Sequence, residues 1–288
     1  MQEVSFTEAI MMIVAIIQAR MGSSRLPGKV LKEICGKTLL EHEINRVRQA
    51  KRIDGIIVAT TNPLDDAIEE LCRKIDTTCY RGAENDVLDR YYHAAESVNL
   101  GEKDGIVRLT ADCPLIDPVI IDEMIELFLR SGADYASNAN PPTFPDGLDA
   151  EVFTFTALKR CFAEARLLSE REHVTPYIRN NPHLFKQVNL EGKRDLSGLR
   201  WTVDEEEDLE VIKTVYENLY CKSCRIFLME EILAFFGEHP EISGKNLRFK
   251  RNEGYEKSLQ NDHIKKDCMA ESMKTGLGRQ KNAAGRVF

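Results

Sequence analysis

A chain of 288 residues, 43% hydrophobic and 30% charged, is long enough to bury one substantial core, or a core with an added lobe, and its composition excludes disorder over most of its length. The formal charge of -8 argues against a general binder of nucleic acid or anionic membrane, so a local cluster of arginine and lysine reads as a site for a small anion. The longest apolar stretch, 10–17, is too short to span a bilayer and lacks a basic flank, and eight scattered cysteines form no framework. The expectation is therefore a cytoplasmic protein with reduced thiols, the CxxC at Cys221 and Cys224 being two ordinary helix-end thiols rather than a metal or redox site.

Residues 1–12 read as a polar leader within which Met11 or Met12 is an alternative start. The stretch IVAIIQARMGSSRLPGKV at 13–30 organises the rest. Its apolar half is β-branched and unpatterned, as in a strand covered on both faces. Gly22, Ser23 and Ser24 then let the backbone turn and gather its N–H groups, while Arg20, Arg25 and Lys29 add positive charge. A Walker loop is excluded by the spacing of Gly22 and Gly28, by Val30 where a hydroxyl is needed and by Pro27. Anion binding and a structural loop with solvated basic residues both remain open at this point.

Helices are expected at 38–51, 64–74, 85–98 and 117–130, alternating with strands at 55–61, 78–81, 105–110 and 133–138. Such alternation implies an α/β fold with a parallel sheet and ligands beyond the carboxyl ends of the strands, so 18–29, 81–86 and 111–114 should meet at one rim. Beyond a proline-rich loop come a strand at 150–155, helices at 156–168 and 169–180, strands at 185–190 and 199–203, and helices at 205–220 and 227–237. This half is expected to extend the sheet as a lobe closing over the site. From 240 to 288 basic residues outnumber acidic ones eleven to six with little periodicity, which reads as a mobile tail after a single domain at 13–239.

Asp112 in TADCPL follows a strand and is available to a hard cation, or caps the next helix. Asp204 in RWTVDEEEDL serves the same ion, or caps a helix with Glu207 completing a capping box. Asp146, Asp149 and Glu151 in FPDGLDAEVF supply acceptors for a hydroxyl-rich sugar, or are solvated loop acids. Glu172 and His173 lie in SEREHVTPYI, where Ser169 and Glu172 also fit a capping box. Arg81 frames a nucleobase or belongs to a surface turn.

In order, QARMGSSRLPGKVL, VATTNPLDDAI, YRGAENDVLDRYY, RLTADCPLIDP, FPDGLDAEVF, EREHVTPYI and RWTVDEEEDL resemble the cytidylyltransferase family, in particular its spore coat polysaccharide biosynthesis protein F-like branch, related to the acylneuraminate and 3-deoxy-manno-octulosonate enzymes. The resemblance implies a nucleotide-diphospho-sugar transferase fold, a Rossmann-like three-layer α/β/α sandwich with a mostly parallel mixed sheet. It implies that Ala19, Arg20, Gly22, Ser23, Arg25, Lys29 and Ala111 hold the nucleotide, with Arg81 near the base. Asp112 and Asp204 share Mg2+; Arg20, Lys29 and Asp112 carry catalysis; and Asp146, Asp149, Glu151, Glu172 and His173 hold the sugar. The implied partners are CTP, a sugar (a keto-sugar acid by analogy) and a second copy of the chain. The implied reaction gives a CMP-sugar and pyrophosphate for surface polysaccharide or glycan biosynthesis. TADCP departs from the Gln-Gly-Asp-Glu-Pro-like run of the octulosonate enzymes, so their sugar preference does not transfer. NEGYEKSL at 252–259 is similar to segments leading into a further domain in longer relatives. Two rival readings are a glycosyltransferase using a ready-made nucleotide sugar and a nucleotide-binding protein without chemistry. On the family reading, Lys29→Ala or Asp112→Ala greatly lowers turnover and leaves folding intact.

Overall fold

The unpatterned apolar run becomes β1 (Ile13–Gln18), a central strand whose side chains alternate between two cores: Ile13, Ala15 and Ile17 on one face, Val14 and Ile16 on the other. The computed structural model describes residues 11–221 and 224–264. A hairpin of β2 (Glu33–Ile34) and β3 (Lys37–Thr38) follows, then β4 (Gly55–Thr61), β5 (Thr78–Gly82), β6 (Gly105–Thr110), β7 (Tyr135–Ser137), β8 (Glu151–Thr154) and β9 (Gln187–Asn189). Seven strands form one sheet in the order β5-β4-β1-β6-β8-β7-β9. β8 is antiparallel to both its neighbours and the remaining pairs are parallel, which gives the mostly parallel mixed sheet expected.

The helices are α1 (Leu39–Val47), α2 (Asp66–Lys74), α3 (Val87–Glu96), α4 (Pro118–Ser131), α5 (Phe155–Glu164), α6 (Leu168–His173), α7 (Pro176–Asn180), α8 (Glu206–Leu219), α9 (Met229–Glu238), α10 (Pro240–Ser243) and α11 (Glu253–Gln260). Helices α1, α2 and α4 cover one face of the sheet through residues such as Ile44, Ile68 and Met124. Helices α3, α5 and α7 cover the other through Leu88, Leu158 and Ile178. A third core, built from α8 and α9 around Trp201, fixes the segment that carries Asp204. Each fully buried aliphatic side chain contributes roughly 1.5–3 kcal/mol. Among the described residues no helix is long and apolar enough to cross a membrane.

Several expectations need correction. The run 199–203 is extended but joins no sheet: Trp201 N donates to Asp146 O at 2.6 Å and Val203 N to Asp112 O at 2.8 Å, because its neighbours are a loop and a strand end. The helix expected at 169–180 breaks into α6 and α7, since Val174 takes a left-handed φ of 70° and Pro176 cannot continue a helix. The thiols are not all free: Cys35, in the turn of the hairpin, is bridged to Cys221 at the end of α8, with Cα atoms 5.9 Å apart. A separation of 186 residues hid that proximity from the sequence. Cys224 remains an exposed free thiol. The stretch expected to begin a mobile tail instead forms α10 and α11 and packs back on the domain. Residues 1–10 of the expected leader and 265–288 of the expected tail lie outside the described residues.

Candidate active site

After β1 the chain turns on a fixed post. Asp65, buried at 1% exposure, accepts from the hydroxyls of Thr60 (2.7 Å) and Thr61 (2.6 Å) and from Met21 N (3.0 Å), which pins the loop to the end of β4. Met21 O in turn accepts from Ser23 N and Gly28 N, and Gly28 takes φ 66°, a conformation that suits glycine. The Ser23 amide is therefore turned inward rather than toward a ligand. Gly22 and Ser24 keep amides with no acceptor among the described residues.

Gly28 aims Lys29 across the rim, where its ammonium donates to Asp112 Oδ2 (2.8 Å), Asp204 Oδ1 (2.8 Å) and Val203 O (2.7 Å). Two acids 92 positions apart in sequence meet because Val203 N and the Thr202 hydroxyl both donate to Asp112 O. Neither acid caps a helix: Asp117 caps α4, while Asp208 accepts from the amides of Asp204 and Glu205 at the start of α8. Arg25 adds contacts to Asp204 (3.0 Å) and Glu205 (2.9 Å). Arg200 reaches Asp146, Asp204 and the fully buried Asp208.

Burial lowers the Lys29 pKa, but the charges of Asp112 and Asp204 outweigh it and hold the ammonium above its ordinary value. Burial likewise pushes the Asp112 carboxyl up, and Lys29 beside it wins, holding the carboxyl at about 2. Because this lies below the roughly 3.9 of a free aspartate, the stability it supplies is full above that range and is lost as pH falls through about 2. Asp112→Asn is therefore expected to flatten the change in unfolding free energy between about pH 4 and 2. An unaltered acid profile in urea titrations would contradict the pairing.

Two cavities meet here. One of about 240 Å3 is lined by Ala19, Arg20, Gly22, Ser23, Arg25, Lys29, Ala111, Asp112 and Asp204, together with Gln18, Val87 and Arg90. A second of about 340 Å3 shares Arg20, Arg25, Asp112, Glu172, His173 and Asp204 with it and adds Asp146, Asp149 and Glu151. Arg81 lines neither. It pairs with Asp66 (2.6 Å) and Glu69 (2.5 Å) and donates to Pro63 O, because the end of edge strand β5 lies over the start of α2. Arg81→Ala should leave the CTP KM within about twofold, as expected of a surface pair; a tenfold rise in pyrophosphate-release assays would restore Arg81 to the site. Arg90, which does line the first cavity, is 1% exposed, with its Nε unpartnered and one guanidinium N–H given to Ala83 O. The sequence hid Arg90 inside a helical pattern.

The second cavity is more constrained than a row of free acids. Glu151 accepts from Arg108 (2.5 Å), Tyr135 (2.5 Å) and Thr175 (2.6 Å), so it organises the wall. Asp149 pairs with Arg251. Burial and the neighbouring charge of Asp149 push Asp146 up to about 7, Arg251 and Arg200 offsetting only part, so near neutrality Asp146 offers a proton as well as lone pairs. Glu172 is not in a capping box. Ser258 of α11 donates to it at 2.7 Å, and His173 Nε2 lies 3.0 Å from the same hydroxyl. Burial pushes His173 down to about 4, so its ring is neutral at pH 7. Lys250, Asn252, Gly254 and Tyr255 complete this cavity, a contribution that the unpatterned sequence after 240 did not announce.

Residues 14–232 match the family model described as Cytidylyltransferase. The chain is 36% identical over 243 residues to the spore coat polysaccharide biosynthesis protein SpsF of Bacillus subtilis, covering 82% of this chain and 92% of that protein. It is 30% identical over 207 residues to the 8-amino-3,8-dideoxy-manno-octulosonate cytidylyltransferase of Shewanella amazonensis, covering 66% and 84%. A cytidylyltransferase structure from Leptospira borgpetersenii superposes with a TM-score of 0.77 at 36% identity, over 84% of this chain and all of that one. With the family model spanning most of the chain, and the loop after β1, Lys29 and the two acids brought to one point, this protein belongs to the cytidylyltransferase family.

Proposed function

We propose that this enzyme transfers CMP from CTP to a hydroxyl of a keto-sugar acid, releasing pyrophosphate, and that the CMP-sugar supplies surface polysaccharide or glycan assembly. The observation that carries the reading is the Lys29 ammonium within hydrogen-bond distance of both Asp112 and Asp204 where the two cavities join. A triphosphate in the first cavity takes up Arg20, Arg25 and the Gly22 and Ser24 amides, and a sugar in the second meets Asp146 and His173. The sugar hydroxyl oxygen then bonds to the α-phosphorus as the bond to the leaving pyrophosphate breaks, and the hydroxyl proton passes to solvent. Arg20, Arg25 and Lys29 position the phosphates and neutralise the developing charge.

The donor set fits Mg2+: Asp112 and Asp204 converge on one point, and a hard ion of this kind takes one or two carboxylates plus phosphate oxygens and water. An ion held by Asp112 and Asp204 would supply Lewis-acid polarisation of a bound phosphate. Among the described residues no group of three His, Cys, Asp or Glu is placed to hold a metal.

The names of the relatives from Bacillus subtilis and Shewanella amazonensis support the polysaccharide role and the sugar-acid class respectively. Pyrophosphate release should be measured with each of the four nucleoside triphosphates and Mg2+ over a panel of keto-sugar acids and aldoses. Release with CTP and an acid is expected. No release with any pair, or transfer only from a preformed nucleotide sugar, overturns the reading.

A further inference from the structure

Six basic side chains line the second cavity, and most are already committed. Arg25, Arg108 and Arg200 are ion-paired, Arg20 also belongs to the phosphate cavity, and Lys250 is exposed. Arg179 differs. No carboxylate lies within ion-pairing distance of it among the described residues, its Nε is buried without a hydrogen-bond partner, and its guanidinium carbon sits 5.0 Å over the ring of Tyr255. Tyr255 lies on α11, beyond the end of the family match at 232. A guanidinium stacked on an aromatic face is held in orientation, with its N–H edge left free to bind.

We propose that Arg179, oriented by Tyr255, selects sugars that carry a carboxylate. The inference rests on the sugar-acid reading above and assigns the residue that enforces it. A carboxylate matches the planar fork of an arginine with two parallel hydrogen bonds. A neutral hydroxyl leaves the partly buried cation only the charge of Glu151, which Arg108 already shares, and a doubly charged phosphate meets repulsion from Glu151 and Glu172 on the same cavity. Glu151 does not serve as the missing partner, because its oxygens already accept from Arg108, Tyr135 and Thr175.

The test is a calorimetric titration of the full chain holding a non-hydrolysable CTP analogue. The probes are 2-keto-3-deoxy sugar acids of six, eight and nine carbons, each beside its methyl ester. The wild type should prefer at least one acid over its ester by about tenfold or more, the scale of one charge-assisted hydrogen bond. Arg179→Gln should reduce that preference to about twofold. Arg179→Lys should restore part of it, and Tyr255→Leu should weaken acid binding by a few fold. The CTP-analogue affinity, unchanged within about twofold in every variant, shows that the fold is intact. A wild type that binds no probe or prefers no acid overturns the assignment, as does an Arg179→Gln variant that keeps the preference. Pyrophosphate release with neutral sugars alongside such a result leaves nucleotidyl transfer standing. Acid-selective binding with no pyrophosphate release from any sugar removes the transfer reading instead.

Discussion

Lys29→Ala is expected to lower kcat/KM for pyrophosphate release by about a thousandfold, the scale of losing one preorganised charged donor at a reacting phosphate. It is also expected to cost about 3 kcal/mol of stability. The second effect departs from the sequence-based expectation that folding would be indifferent to this side chain. In the structure the ammonium is the partner shared by Asp112 and Asp204, and it also satisfies Val203 O. Removing it leaves two carboxylates facing each other in a half-buried site, where Arg25 and Arg200 still contact Asp204. Asp112 loses its one cationic partner among the described residues. Urea denaturation and a pyrophosphate assay separate the two effects. Turnover near the wild-type level would remove Lys29 from the chemistry, and unchanged stability would show that the acids find other compensation.

Arg200→Ala is expected to be the most destabilising single change at the rim, by about 4 kcal/mol, equivalent to roughly 10 °C in Tm for a domain of this size. The reason is the number of charges that one guanidinium serves. It grips Asp208, which has no solvent exposure, with two hydrogen bonds of 2.9 Å, and it reaches Asp146 and Asp204 at 3.1 Å each. Asn246 also donates to Asp208 but brings no charge. Arg200→Lys should recover only part of the loss, since an ammonium cannot reproduce the planar fork. A melting curve for Arg200→Ala within a degree or two of the wild type would show that Asp208 is not charged in the folded protein.

The layered fold was legible because strands covered on both faces leave a plain signature: 13–18, 55–61 and 105–110 are short, apolar and β-branched, and each emerges as a strand of the sheet. The loop after β1 and the two acids were legible for a related reason, since residues just after such strands must share a rim. What could not be read was pairing. Nothing local tells Glu151 to accept from Arg108 or Arg81 to turn toward Asp66, because each partner is supplied by another part of the chain. Arg90 and Arg179 sit within helical stretches, where an arginine usually marks a solvated face. The segment from 250 to 260 lacks a periodic apolar stripe, because it is held on the domain largely by polar contacts such as Arg251 to Asp149 and Ser258 to Glu172.

That last segment separates two selections that one reaction requires. On the proposed reading the triphosphate is held at the strand ends of the parallel sheet, whereas the sugar cavity is lined in part by Lys250, Asn252, Gly254 and Tyr255, which follow the family match at 14–232. If that reading holds, exchanging this short stretch between homologues is expected to change the acceptor preference and leave nucleotide binding unaltered.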